Sequence, residues 1–404
     1  RIYRIGTLRL ILFAAGVAGI IYFWSESRLV ISGIAAITFI PFLLLVKLHN
    51  RLFRQKDYLE KKIEINRQEL QAIAYDTSAF DNGKEFIDPA HLYTYDLDVF
   101  GEHSLFQYIN RTATQPGKKR LAEWMNTHLK NKAEIEKRQE AVKELAPELE
   151  MRQHFRILGL LHKGKTADEE EIRNWATSPE YYRKKWYFRT LAILVPLANA
   201  VCLGLAIAGV ISFTTWGIVF AGIGLLSSSF SKGVSQMQSV YGKKMQILTT
   251  YAHLIHIIEE KEMESSALKR VKGLVGGEKQ TASQAVKRLT ALMNALDQRN
   301  NMLMQFVLNG LFFWELRQVM KIETWKESFA ANLPHWLEAI GEMDAYCSLA
   351  TFAYNHPGYV FPEITSKPFC MEAEALGHPL MDRDKCVRND IQIAKRPFFV
   401  IITG

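Results

Sequence analysis

Residues Phe398–Gly404, FFVIITG, are an apolar β-type run that ends on a glycine. A phosphate-binding loop needs this order: a strand, then a glycine that lets the backbone turn and aim its N–H groups at phosphate oxygens. An ordinary strand and turn would use the same seven residues, so the neighbours must decide. Upstream, GHPL at Gly377–Leu380 reads as a turn. VRNDI at Val387–Ile391 reads as a strand start whose Asn389 and Asp390 make local backbone bonds. His253 and His256 lie three apart on a helical stripe with no third ligand in the pattern, and read as solvated or lightly packed side chains rather than a metal pair. Cys202, Cys347, Cys370 and Cys386 show no CxxC or metal spacing and read as reduced thiols.

The elements that must position these residues include four charge-free runs. Leu10–Trp24 and Leu29–Val46 are separated only by Ser25–Arg28, and Thr190–Ser231 contains no charged residue. The last reads as two spans, Thr190–Ile211 and Trp216–Phe230, with a turn near Ser212–Thr215. A spanning helix needs roughly 20 apolar residues, about 17 at the least, so the first and last runs are short and would lean on Arg9 and Lys232 to snorkel. Arg1, Arg4 and Arg9 precede the first pair and Lys47, Arg51, Arg54 and Lys56 follow it. Arg183, Lys184, Lys185 and Arg189 precede the second pair, and Lys232, Lys243 and Lys244 follow it. Positive flanks on one side of both hairpins predict soluble parts in the cytoplasm, anchored to the inner membrane. Small residues (Ala14, Gly16, Ala18, Gly19, Gly204, Ala208) offer helix-packing seats. Asn199, the one strongly polar side chain deep in a span, reads as a bond to a neighbouring helix. The lack of a polar pathway argues against a transporter.

The chain has 404 residues and a net charge of +8, from 50 Lys+Arg against 42 Asp+Glu, a mildly basic balance that suits nucleic acid or an anionic membrane surface equally. Arg51–Ala74 predicts a charged helix leaving the membrane, followed by a linker broken at Asp81-Asn82-Gly83 and Pro89. Leu97–Leu145 reads as mostly helical, with Ser104 as a cap and a break at Pro116-Gly117, and Thr166 with Glu169 resembles a capping box. Stripes at Leu248, Tyr251, Ala252, Ile255, Ile258 and at Val286, Leu289, Leu292, Met293, Leu296 predict long helices. Met302–Leu316 reads as a core helix and Ala331–Tyr354 as a last long helix interrupted at Pro334. After Pro357 the runs YVFPEI and FFVII predict strands of a second domain. The Phe361–Glu363 match to a base-intercalating Phe-x-Glu wedge reads as chance from its position.

Four separated motifs then fall in the order of one family. FGEHSLFQYINRTATQPGKKRLAEWM at Phe100–Met125 resembles the opening of the helical core of the MutS mismatch-repair family, with Asn110, Thr112, Thr114 and Gly117 in the Asn-x-Thr-x-Thr-x-x-Gly pattern. IEKRQEAVKEL at Ile135–Leu145 resembles the helix that follows, and WLEAIGEMDAYCSLATFA at Trp336–Ala353 the lever helix that returns to the ATPase. GHPLM, VRNDI and FFVIITG resemble the first strands of that ATPase. The layout is similar to a membrane-anchored branch of the family. No segment resembles the mismatch-reading domain or a DNA clamp, and Cys386 stands near the position of the aromatic that stacks adenine.

The resemblance implies a mainly α protein: two transmembrane helical hairpins, a MutS-like all-α core and lever, and the first strands of a truncated α/β P-loop ATPase domain. The segments expected are hairpin 1 at 1–49, juxtamembrane helix and linker at 50–95, helical core at 96–185, hairpin 2 at 186–232, the rest of the core and lever at 233–356, and the ATPase start at 357–404. It implies nucleotide contacts at His378, Val387, Asn389, Thr403 and Gly404, with Gly404 as the first glycine of a Walker A loop cut one residue in. ATP and Mg2+ would then bind the full-length protein and not this stretch alone, which lacks the loop's Lys and Ser/Thr. It further implies DNA as a partner, lipid contact and a homodimer, and an ATP-driven switch acting on DNA. The alternative is a membrane scaffold or tether that keeps the fold and does not sense mismatches.

Overall fold

The computed structural model describes residues 2–25, 27–161, 166–241, 245–277, 280–297, 302–365 and 371–393. The protein is 71% helical, with two short strands among the described residues. It divides into two units, Arg1–Glu69 and Leu70–Gly404.

In the first unit the apolar runs form α1 (Ile2–Tyr22) and α2 (Arg28–Ile73). The helices pair antiparallel: a Cβ on Gly16 would meet Thr38 and one on Gly19 would meet Ile34, while Phe13 and Phe42 lie 5.7 Å apart. Two of the expected small-residue seats are therefore used. The outward faces stay apolar, with Leu10, Ile21, Ile37 and Leu44 each exposed. The helix α2 runs on past the apolar residues into the charged stretch, as expected from its unbroken pattern.

The second unit opens on the expected linker, which is a packed loop rather than a tether. Side chains of Asp76, Asp81, Asn82 and Asp88 accept bonds from backbone N–H groups two residues on, folding it into successive Asx turns. It buries Val99 and Phe100 against Phe106 and Leu121 and also buries Phe80. Next come α3 (Leu105–Ile109), α4 (Gln115–Asn126), α5 (Lys132–Leu145), α6 (Leu149–Leu161) and α7 (Thr166–Thr177). Ser104 caps α3 as expected, its Oγ accepting from the Gln107 N–H. Pro116 and Gly117 sit in the first turn of α4 rather than before it, because Thr114 is the cap and proline's missing N–H costs nothing there. The expected Thr166 capping box involves side chains outside the described residues.

The charge-free run Thr190–Ser231 falls within α8 (Trp186–Ile207) and α9 (Phe213–Tyr241), with the turn at Ala208–Ser212, a few residues earlier than expected; Gly209 takes a positive φ of 75° there. By length and composition α1, α2 and α8 are candidate membrane spans, and the apolar part of α9, Phe213–Ser227, is shorter. The path into α8 is pinned to the core: buried Glu323 accepts the N–H groups of Tyr181, Tyr182 and Arg183 at 2.8, 3.0 and 2.5 Å.

The remaining helices are α10 (Met245–Glu260), α11 (Ser266–Val275), α12 (Ala282–Asp297), α13 (Met302–Phe312), α14 (Trp314–Phe329) and α15 (Leu333–Asn355). Every residue of the α10 stripe is buried, as are Val286, Leu289, Met293 and Leu296 of the α12 stripe. Each such Leu or Ile contributes about 1.5–3 kcal/mol of burial. At the centre lies α15, packed by α4, α5, α6, α10 and α11. Pro334 starts this helix rather than interrupting it. The expected Met302–Leu316 helix is split at Phe313, whose φ of 51° is left-handed.

Two expectations about strands change. Tyr359–Ile364 is not a strand: Pro362 has no N–H to donate, its carbonyl accepts from Gln139, and Phe361 packs under Lys143 on the helical core. The strands are β1 (Met371–Leu376) and β2 (Asn389–Ile393), antiparallel, with Met371 opposite Ile393 and Leu376 opposite Asn389. The expected Phe398–Thr403 strand lies outside the described residues.

Candidate functional site

The site is built along α15 and ends at the strand pair. Two residues of α15, Ser348 and Asp344, hold the Asn110–Thr114 loop, more than 200 residues away in sequence. Ser348 Oγ donates to the Ile109 carbonyl and accepts the Arg111 N–H, both at 2.8 Å. Asp344, 1% exposed, accepts the Ala113 N–H at 3.0 Å, the Thr114 N–H at 2.8 Å and the Thr114 hydroxyl at 2.7 Å. Thr114 Oγ1 in turn accepts the Gly117 N–H and starts α4. Gly341 lies against the Pro116 backbone and Gly117 against Asp344, so any side chain at either glycine would collide with the partner helix. Burial raises the Asp344 pKa to about 6, against the pull of Thr114, Ala113 and Arg156.

The same loop is fastened from its other side. Asn110 Oδ1 accepts from Thr112 N and Oγ1, Asn110 Nδ2 donates to the Asp81 carbonyl, and the Arg111 guanidinium stacks 3.6 Å above Phe80. Lys118, buried, pairs with Asp81 and Glu85. The motif thus acts as a clasp between the opening loop, α4 and α15.

An aromatic stack closes the C-terminal end of α15. The His356 ring lies 4.3 Å from Phe352 and 5.0 Å from Tyr359. Its Nδ1 is 2.7 Å from the Phe352 carbonyl, which can only accept, so Nδ1 carries the proton and Nε2 accepts from the Tyr108 hydroxyl at 2.8 Å. Tyr75 stacks on Tyr108, and burial, with Tyr359 and Tyr75 nearby, raises the Tyr108 pKa to about 12. The β1–β2 connection reaches this stack: Arg383 N–H donates to the Tyr75 hydroxyl at 3.0 Å, and the Arg383 guanidinium lies 4.9 Å from the Tyr359 ring.

The sequence candidates separate here. His378 follows β1, Val387 precedes β2, and Asn389 opens β2 opposite Leu376; all three are exposed, Val387 at 78%. His378 Nδ1 accepts the Leu380 N–H within its turn. Instead of the expected local backbone bond, Asp390 reaches across the strand pair and accepts the Ala375 N–H at 2.7 Å, where Ala375 adopts a positive φ. Cys386 is turned in against Gly377, its Sγ 3.3 Å from where a Cβ would stand, and offers no ring to stack. Thr403 and Gly404 lie outside the described residues. His253 and His256 stand without a metal cluster among the described residues; His256 faces Glu259 and Glu260.

Sequence reasoning missed Asp344, Ser348 and His356 as the partners of the Asn110–Thr114 motif and of Tyr108. The available signal was an acid and a serine inside the apolar stretch MDAYCSLA, where unpaired polar groups are costly.

An all-helical core organised around one long buried helix, clasped to its own N-terminal loop and leading into strands, is the architecture these contacts define. A family model for MutS domain III matches residues 91–350, well over half of the chain, and the chain belongs to that family. Neither a search of curated proteins nor one of solved structures returns a match.

Proposed function

We propose that this protein is a membrane-anchored, MutS-like DNA-binding ATPase, a dimeric switch in which nucleotide state is passed along α15 to a DNA-binding opening. The observation that carries this reading is the continuity of α15: the family match covers its body, the Asp344 clasp fixes it to α4, and its end meets the β1–β2 connection through Tyr75, Tyr359 and Arg383. In this reading His378, Val387 and Asn389 meet the base, and Thr403 and Gly404 begin the phosphate loop. ATP with Mg2+ supplies the driving free energy when bound. The apolar helices α1, α2, α8 and α9 anchor the protein in the inner membrane with the helical core in the cytoplasm, in keeping with the Lys/Arg flanks.

A second reading, a membrane scaffold that keeps the fold without sensing mismatches, is favoured by Cys386, which offers no ring near the position where the resemblance implies a stacking aromatic. One experiment addresses both: the full-length protein is titrated with matched, mismatched and branched duplexes over a range of salt, with and without ATP. Salt-dependent DNA binding that shifts with ATP is the expected result. Lack of ATP binding, or binding of no DNA at any salt, refutes the first reading; ATP-responsive binding without mismatch preference retains the switch and removes the mismatch role.

A further inference from the structure

The helix α13 is built inside out. Its eleven residues, MLMQFVLNGLF, carry no charge. The polar ones point inward: Gln305 Nε2 donates to Glu315 at 2.7 Å, and buried Asn309 accepts the Glu315 N–H at 3.0 Å, bridging the break at Phe313. The apolar ones point outward, with Phe306, Val307 and Phe312 exposed by 42, 42 and 45%. A surface helix in water shows the reverse arrangement.

Its partners are the second apolar hairpin. A Cβ on Gly310 would strike the Phe220 ring of α9, one on Gly224 of α9 would meet Phe306, and Phe220 and Phe306 meet edge to face at 5.4 Å. From α8, Asn199 Nδ2 donates to the Gly310 and Leu311 carbonyls at 3.2 and 3.3 Å, while its Oδ1 accepts the Trp216 indole N–H at 2.9 Å. One buried amide therefore joins α8, α9 and α13. The exposed apolar face of α13 belongs to the same packet as exposed Ile193, Leu197 and Val201 of α8 and Ile218 and Leu225 of α9.

We infer that α13 is a third membrane-embedded helix, seated within one leaflet beside α8 and α9, with Phe306, Val307 and Phe312 on lipid acyl chains. The inference rests on reading α8 and α9 as membrane spans. At about 1.5 Å per residue α13 is about 16 Å long, roughly half of a hydrocarbon core of about 30 Å, so it can enter the bilayer and not cross it. Lipid is the occupant because the outward face has no charge and no polar group to specify a protein partner and because it continues the surface of a candidate span. The helical core then touches the membrane through one of its own segments, and α14, which follows directly, carries Glu323 that holds the chain leading into α8.

The test places single cysteines in the full chain, in its membrane, with the native cysteines replaced by alanine: Val307→Cys on α13, Leu197→Cys on α8 and Lys269→Cys on water-exposed α11. Both faces of opened membranes are treated with a membrane-impermeant maleimide. The Val307 site is expected to react about tenfold or more slowly than the Lys269 site, like the Leu197 site, because the hydrocarbon region excludes water and ionic reagent. An environment-sensitive fluorophore at Val307→Cys is expected to be quenched by acyl-chain nitroxide lipid. Rapid labelling of Val307→Cys with Leu197→Cys protected overturns the inference alone, whereas rapid labelling of both overturns the membrane reading with it. Protection of Val307→Cys without lipid quenching assigns the face to protein and also overturns the inference.

Discussion

The core around α15 and the hairpin formed by α8 and α9 each bury one polar side chain that ties distant segments together, with opposite chemistry. In the core the tie is an acid, Asp344, met by converging donors from the loop that starts α4. In the hairpin it is a neutral amide, Asn199, which donates to two carbonyls and accepts one indole N–H. A carboxylate tolerates burial only where several donors converge on it, and helix starts supply such donors. In the hairpin the groups to be met are carbonyls in the last turn of α13, which lack intrahelical partners, and a neutral amide meets them without bringing a charge into apolar surroundings. In the first pair, α1 and α2, the seam among the described residues is made by small residues, Gly16 against Thr38 and Gly19 against Ile34.

Substitutions rank this comparison. Asp344→Ala leaves the Ala113 and Thr114 donors unpaired in the core and is expected to cost about 3–5 kcal/mol, read as a fall in the denaturation midpoint. The effect depends on pH. Because the folded pKa of about 6 lies above the ordinary aspartate value of 3.8, protonation of Asp344 is favoured by the fold. That contribution is complete below about pH 4 and is lost as pH rises through about 6, amounting to roughly 3 kcal/mol between the limits. The Asp344→Ala penalty is therefore expected to be larger at pH 4 than at pH 7, and an equal penalty at both would refute the assignment.

Gly310→Leu comes next. The Phe220 ring occupies the required space, so overpacking of about 1–3 kcal/mol should separate α13 from α9, seen as lost cross-linking between cysteines on the two helices. Asn199→Leu removes an amide bridge inside apolar helices, where such bonds average about 0.6 kcal/mol and reach roughly 2 kcal/mol; a small fall in thermal midpoint in detergent is expected. The mildest change is Gly204→Leu. The sequence marks it as a packing seat, but nothing lies within 4 Å of its Cβ position. A shift within about 0.5 kcal/mol is expected, and a larger one would place an unseen partner on that face of α8.

What the sequence revealed follows from how local each feature is. The α10 and α12 stripes, the Ser104 cap and the apolar helices depend on spacing within one or two turns, and they were legible. So was the motif around Asn110–Gly117, though not its partners. Tyr359–Ile364 misled because β-branched and aromatic residues favour any half-buried surface, and here the surface is the helical core. Of the residues the resemblance names for nucleotide, His378, Val387 and Asn389 lie in or beside the β1–β2 pair, and Thr403 and Gly404 fall outside the described residues.

The sequence alone determined which segments are helical, which faces are apolar and which family the core resembles, because periodicity and motif order are written within short windows. Only the tertiary structure decided that Asp344 answers Thr114 across 230 residues, that Asn199 reaches a helix 111 residues on, and that α13 turns its apolar side outward. Those choices rest on which surfaces meet, and a donor in the chain carries no local mark of the acceptor that will satisfy it.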